Sequence, residues 1–248
     1  MTILHVSDLH YNKTWYAWLA EFAPPHDLLV ISGDLLDLNH PASHTRQVEW
    51  VSDWVRDFGR PLAICSGNHD LLWDAAHNVW WPARWLLDLA GPQTWVDGQT
   101  GEIEGISFFN CPATGVARGS PADVWIVHAP PEGSGVSWCQ DGRGGGDPNL
   151  LYSVRKYRPR LVLCGHVHNP LSWIDHFQGG LYLNPGRDPA AAFPNHVVID
   201  LGEGCVRREH GDGRRSSQNV LFGLVGLPEP RATPPLQPEE PEIGALLT

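Results

Sequence analysis

The chain has 248 residues, 42% of them hydrophobic and 18% charged, enough apolar material for one full-sized core. That composition excludes collagen, a coiled coil and wholesale disorder. Seventeen Lys plus Arg stand against 28 Asp plus Glu, a formal charge of −11, so general nucleic-acid binding through the phosphate backbone is not expected.

Ile3–Ser7 opens the chain as a buried strand pattern. Trp15, Trp18, Leu19 and Phe22 then repeat at helical spacing until Pro24-Pro25 stops the helix. A second buried strand, Leu28–Ser32, precedes a helix carrying Val48, Val51, Val55 and Phe58, closed by Gly59. Leu62–Ser66 and Val124–His128 are further strands. Asp147-Pro148 supplies an N-cap and first turn for a helix with Leu150, Leu151 and Val154, and Leu161–Gly165 is the fifth strand. This alternation predicts a layered α/β domain, and the later runs Trp173–Phe177, Leu181–Asn184 and His196–Leu201 predict an antiparallel second part. The domain is expected to span 1–212. Residues 213–248 read as a Pro/Glu-rich tail, with six prolines between Pro228 and Pro241.

Each of the five strands runs into a cluster of metal-ligand residue types: Asp8-Leu9-His10, Gly33-Asp34-Leu35-Leu36-Asp37, Gly67-Asn68-His69-Asp70, His128-Ala129-Pro130-Pro131 and Gly165-His166-Val167-His168. Any one cluster alone is explained by helix capping, a tight turn or a polar strand face. Five together, built only from Asp, Asn and His, point to a metal site at the carboxyl ends of the strands.

The pattern D-x-H, G-D-x-x-D, G-N-H-D, a lone H, then G-H-x-H resembles the calcineurin-like metallophosphoesterase family, in its small, cap-free bacterial form. The resemblance covers residues 1 to about 187 and extends to Asn184-Pro185-Gly186-Arg187. It implies a four-layer α/β/β/α sandwich with two mixed β-sheets flanked by helices. It also implies two divalent ions (Mn, Fe or Zn), one held by Asp8, His10, Asp34 and His168, the other by Asp34, Asn68, His128 and His166. Asp34 would bridge, because a carboxylate has two oxygens to share.

In such a dinuclear phosphoesterase a metal-bridging hydroxide attacks phosphorus. His69 would stand near the leaving group as a donor of a proton or a hydrogen bond, and Asn68 would also meet the substrate. Asp37 and Asp70 are expected to orient His69 or a ligand histidine, or else only to cap the local turns.

A glycine-rich loop, Gly133–Gly146, leaves the strand that carries His128. Trp138 is a candidate to stack on a base or aromatic leaving group and Arg143 to meet a phosphate oxygen, against the plainer reading of a surface loop. Trp73, Trp80, Trp81 and Trp85 are read chiefly as core packing. The expected substrate is a small-molecule phosphodiester of the cyclic-nucleotide type. A phosphomonoesterase or protein phosphatase, a nuclease, and a non-catalytic scaffold on the same fold are the alternatives.

No apolar run approaches the ~18 residues of a membrane span, and no basic stretch or apolar leader precedes Ile3, so a cytoplasmic protein without membrane association is expected. Five cysteines without a C-x-x-C pair suit reduced thiols. A homo-oligomer is left open by the apolar residues Leu221 to Leu227.

Overall fold

The computed structural model describes residues 1–114 and 120–219. Strand β1 (Thr2–Val6) is followed by α1 (Lys13–Phe22), β2 (Leu28–Ser32), α2 (His44–Phe58) and β3 (Leu62–Cys65). A hairpin of β4 (Leu72–Asp74) and β5 (Val79–Trp81) precedes α3 (Arg84–Leu87) and β6 (Thr94–Trp95). Then come β7 (Thr100–Ile103), β8 (Ile106–Asn110), β9 (Val124–Ile126), α4 (Pro148–Tyr157) and β10 (Leu161–Leu163). The last elements are β11 (Ile174–Phe177), β12 (Gly180–Leu183), β13 (His196–Asp200), β14 (Cys205–Glu209) and β15 (Arg215–Asn219).

The helix boundaries follow from local chemistry. Asn12, Ser43 and Asp147 each cap a helix by accepting a hydrogen bond from its first turn, and Gly59 ends α2 in the left-handed conformation at φ 64°.

Two mixed sheets result. The first runs β15-β14-β13-β1-β2-β3-β6 and the second β11-β12-β10-β9-β8-β7. Strand alternation sorts their side chains into three cores. Leu4, Val6, Leu29, Ile31, Leu62 and Ile64 meet Trp15, Leu19, Val51 and Val55 of α1 and α2. Ile3, Leu28, Val30 and Ala63 turn the other way and meet Val124, Ile126, Leu161 and Leu163 between the sheets. Trp125, Val162 and Tyr182 face out from the second sheet onto Leu150 and Val154 of α4. The layers are therefore helix, sheet, sheet, helix, the α/β/β/α sandwich expected.

Two expectations need correction. The later apolar runs do not make a separate antiparallel part: β12 pairs parallel to β10, while β13 crosses back to pair antiparallel with β1. The burial pattern of a strand reports that it is covered, not which sheet covers it. Three of the four tryptophans after Asp70 are likewise not core, while Trp85 packs against the first core as expected. Trp73, Trp80 and Trp81 are each 43% exposed on the β4–β5 hairpin, and Trp85 is half-buried. A hairpin this short has no second layer to pack against on its outer face.

The first sheet also continues past residue 212, since Arg215–Asn219 pairs with Glu209–Cys205. The proline-rich run and the Leu221–Leu227 stretch lie outside the described residues. Among the described residues, no helix is long and apolar enough to cross a membrane. The five cysteines are free.

Candidate metal centre

The five strand ends come from both sheets. β1, β2 and β3 deliver Asp8, His10, Asp34 and Asn68, while β9 and β10 deliver His128, His166 and His168. Their loops are stitched together by main-chain bonds: Asp8 N–H donates to Gly33 O (3.1 Å), His10 N–H to Asp34 O (2.9 Å) and Gly165 N–H to His128 O (2.9 Å). Four of the ligand-type residues sit in the left-handed region, at φ 55° for Asp8, 44° for His10, 53° for Asp34 and 66° for His166. Each such residue is strained by about 1–3 kcal/mol unless its surroundings fix it, a condition that clusters at functional sites.

The glycines beside the ligands are required by close approach. A Cβ on Gly67 would overlap Asp34 Oδ1, and one on Gly165 would overlap Ser7 Oγ.

Donor atoms converge on Asp34 and Asp8. His128 Nε2 lies 3.3 Å from Asp34 Oδ2, His10 Nε2 lies 3.5 Å from the same oxygen, and His168 Nε2 lies 3.2 Å from Asp8 Oδ1. His10 Nε2 and His168 Nε2 face one another at 3.3 Å, and His128 Nε2 is 3.1 Å from Asn68 Oδ1. His166 joins through its ring, 5.1 Å from that of His128, and through its N–H, which donates to Asp8 Oδ2 (3.1 Å). The structure thus brings together all seven residues that the resemblance assigns to metals.

The fit to divalent ions is good. Atoms sharing one ion at about 2.1 Å stand roughly 3 to 3.5 Å apart, as most of these do. His128 Nδ1 faces the Ser32 carbonyl at 2.9 Å, so this nitrogen carries a proton and Nε2 is the atom that would meet an ion, exchanging its own proton for it. Asp8 Oδ1 is buried and makes no hydrogen bond of good geometry among the described residues; what it meets is the imidazole of His168, with Nε2 at 3.2 Å. A buried carboxylate oxygen in that state calls for a cation.

The electrostatics agree. Burial alone would lower the His128 pKa, but the Asp34 and Asp8 carboxylates outweigh it and lift it to about 10. Burial alone would raise Asp8 and Asp34, but the surrounding histidines hold both below the usual carboxylate range. Burial and then the His128 charge push His166 down. The centre therefore demands positive charge and keeps part of its histidine set neutral, the state a ligand needs.

His69 also enters the cluster. Its N–H donates to Asp34 Oδ1 (2.8 Å), and its ring lies edge-on to His10 with centroids 4.4 Å apart. Asp37 Oδ1 is 3.8 Å from His69 Nδ1, beyond hydrogen-bond range, and accepts instead from the Asn39 N–H (2.9 Å). The Asp70 carboxylate bonds to no histidine among the described residues: its oxygens accept from Leu36 N–H (2.9 Å) and Gly67 N–H (2.7 Å), tying the Asp34 loop to the Asn68 turn. Burial, then the Asp34 charge, raise Asp70 to about 7.

In the glycine-rich loop, Arg143 is forked onto Asp141 through Nε (2.8 Å) and Nη2 (2.7 Å), and Trp138 is 42% exposed beside Gly144. The loop contributes Gly145, Gly146 and Asp147, not these two side chains, to a cavity of about 410 Å³ next to Asn68, His128 and His166.

Three further residues brace the site in roles that the sequence alone does not assign. Asn184 Nδ2 donates to Gly165 O (3.0 Å) and Val167 O (3.1 Å), fixing the loop of His166 and His168. Arg187 Nε donates to Asp8 O (3.0 Å). Asp97 accepts from Ser66 N–H (2.8 Å) and Oγ–H (2.6 Å), just ahead of the Asn68 turn. The Asn184-Pro185-Gly186-Arg187 turn was the available signal for the first two; Asp97 had none.

A profile of the calcineurin-like phosphoesterase family matches residues 1–170. The chain belongs to that family. It is 29% identical over 163 residues to a probable cyclic nucleotide phosphodiesterase of Synechococcus sp., covering 57% of this chain and 58% of that protein. The chain thus spans less than two thirds of the curated relative it matches. Its fold resembles the crystal structure of TT1561 of Thermus thermophilus, with a TM-score of 0.53 at 14% identity over 88% of this chain and 98% of the other.

Proposed function

We propose that this protein is a metal-dependent phosphoric ester hydrolase that holds two divalent ions and cleaves small-molecule phosphodiesters, cyclic nucleotides among them. The observation that carries the reading is the convergence of His10, His128 and His168 on the buried carboxylates of Asp8 and Asp34, with Asn68 and His166 beside His128. Family membership and the name of the Synechococcus relative support it.

Asp8, His10, Asp34 and His168 would hold one ion and Asp34, Asn68, His128 and His166 the other. When bound, the ions would supply Lewis acidity towards phosphoryl oxygens and a water acidic enough to attack near neutral pH. The chain's own residues do the rest. His128 Nδ1 and the Asp8, His10, Asp34 and His166 backbones hold the donor set rigid before substrate arrives. His69 keeps a proton at Nε2 for the departing oxygen, because its Nδ1 accepts from Leu38 N–H (3.2 Å). The cavity of about 410 Å³ is lined by Cys111, Pro112, Ala113, Val127 and Leu150 besides the metal-site residues, room for an organic ester group with little formal charge.

The test is metal analysis of the purified protein together with a panel of bis(p-nitrophenyl) phosphate, p-nitrophenyl phosphate, cyclic nucleotides, a phosphopeptide and single-stranded DNA. Two bound ions and highest kcat/KM on diesters are expected. Preference for the monoester, the phosphopeptide or DNA overturns the substrate class. Absence of both stoichiometric metal and esterase activity overturns the enzyme and leaves the scaffold.

A further inference from the structure

A second cavity, of about 570 Å³, is lined by His10, Tyr11, Asn12, Lys13, His40 and Arg187. Its charge runs against that of the chain. Arg187 is half-buried, anchored by Nε to Asp8 O (3.0 Å) with its guanidinium 5.7 Å from the Trp15 ring centroid. Its Nη groups have no acceptor among the described residues. Lys13 Nζ stands 5.1 Å from the Tyr11 centroid and 4.7 Å from that of Trp50, with no carboxylate within 4 Å among the described residues.

Two unpaired cations thus share a cavity with a metal-site histidine in a chain of net charge −11. The carboxylates that face Arg187 are Asp8, Asp34, Asp37 and Asp188, and the first two are those the ions would neutralise. Lys13 is also the first residue of α1, at the positive end of the helix dipole, where Asn12 already takes the Trp15 N–H. A planar guanidinium held by one nitrogen, with the others free, suits a phosphate.

We propose that Arg187 and Lys13 form a subsite for a second phosphate, so that the preferred substrate is a phosphodiester bearing a further, uncleaved phosphate group. This rests on the phosphodiester reading above. The reaction itself is unchanged: water adds to the diester phosphorus and the ester oxygen leaves with a proton.

The test compares thymidine 5′-(p-nitrophenyl phosphate) with its 3′-phosphorylated counterpart on the metal-loaded protein. The phosphorylated substrate is expected to have the higher kcat/KM by about 10- to 100-fold, the range of one or two charge-assisted hydrogen bonds. Arg187→Met and Lys13→Met should each shrink that ratio, chiefly through KM. A ratio near one in the native protein overturns the subsite. So does an Arg187→Met variant that loses both substrates equally while Lys13→Met keeps the ratio, since Arg187 would then only brace Asp8. If neither diester is cleaved, the catalytic reading fails and the subsite is judged by calorimetry. Thymidine 3′,5′-bisphosphate should then bind more tightly than thymidine 5′-monophosphate, and equal affinities, or a difference that survives both variants, overturn it.

Discussion

The Leu38 amide donates to Nδ1 of His69 at 3.2 Å, which leaves the neutral ring with its proton on Nε2. Burial first, outweighing the neighbouring Asp34 charge, lowers the His69 pKa from its ordinary 6.5. The ring is therefore neutral at working pH and serves by donating a hydrogen bond from Nε2. His69→Ala should retain both metals and lose about 10²- to 10⁴-fold in kcat. The native kcat should show no fall between pH 6.5 and 8.5 attributable to this ring. A decline there that His69→Ala abolishes would mean that an imidazolium is the working form.

Asp34 is the residue on which the donor set closes, since His10 and His128 both point at its Oδ2. Asp34→Asn keeps the shape and removes the shared charge. Metal analysis should find fewer than two ions per chain, with activity down at least about 10³-fold. Full metal content in this variant would show that the carboxylate does not bridge.

Asn184 touches no donor atom, yet its amide holds the Gly165 and Val167 carbonyls. Asn184→Ala should weaken metal affinity by about 10- to 100-fold, the usual effect of removing a group that orients ligands. Titration with a competing chelator measures this directly, and saturating metal should restore most of the activity.

His5 lies between the two sheets, its Nε2 paired with Ser32 Oγ at 2.8 Å and its Nδ1 without a partner. Burial lowers its pKa from 6.5 to about 3 against the opposing pull of Asp8. Between those values the unfolded chain binds a proton that the native one refuses, so this stability is full above pH 6.5 and is lost as pH falls. On lowering pH from 7.5 to 5.0, the wild type should lose about 2 kcal/mol more than His5→Leu in denaturant unfolding. Equal losses would mean that His5 takes up a proton in the folded protein.

Strand ends were the legible part of this chain. The apolar runs before Asp8, Asp34, Asn68, His128 and His166 marked their own termini, and the ligand residue types stood immediately after. Sheet membership was not legible, because Ile3 and Leu4 are equally buried yet face different layers. Asp70 shows the same limit. A carboxylate beside a histidine suggests a partner for that histidine, but the nearer acceptor-seeking groups were the amides of Leu36 and Gly67, which only the folded turn presents. The exposed tryptophans of the β4–β5 hairpin depart from expectation because hydrophobic residue type records a preference for cover, and this short element has none to offer.

Because both sheets contribute donors, any ion held at Asp34 is a cross-link across the seam between them. Held by the proposed ligands, it would close a loop from Asp8 to His168 in a chain whose cysteines are all free. Restricting the denatured chain over so long a loop is the kind of reinforcement that secreted proteins obtain from disulfides. Cation supply would then govern how long the protein survives as well as how fast it turns over.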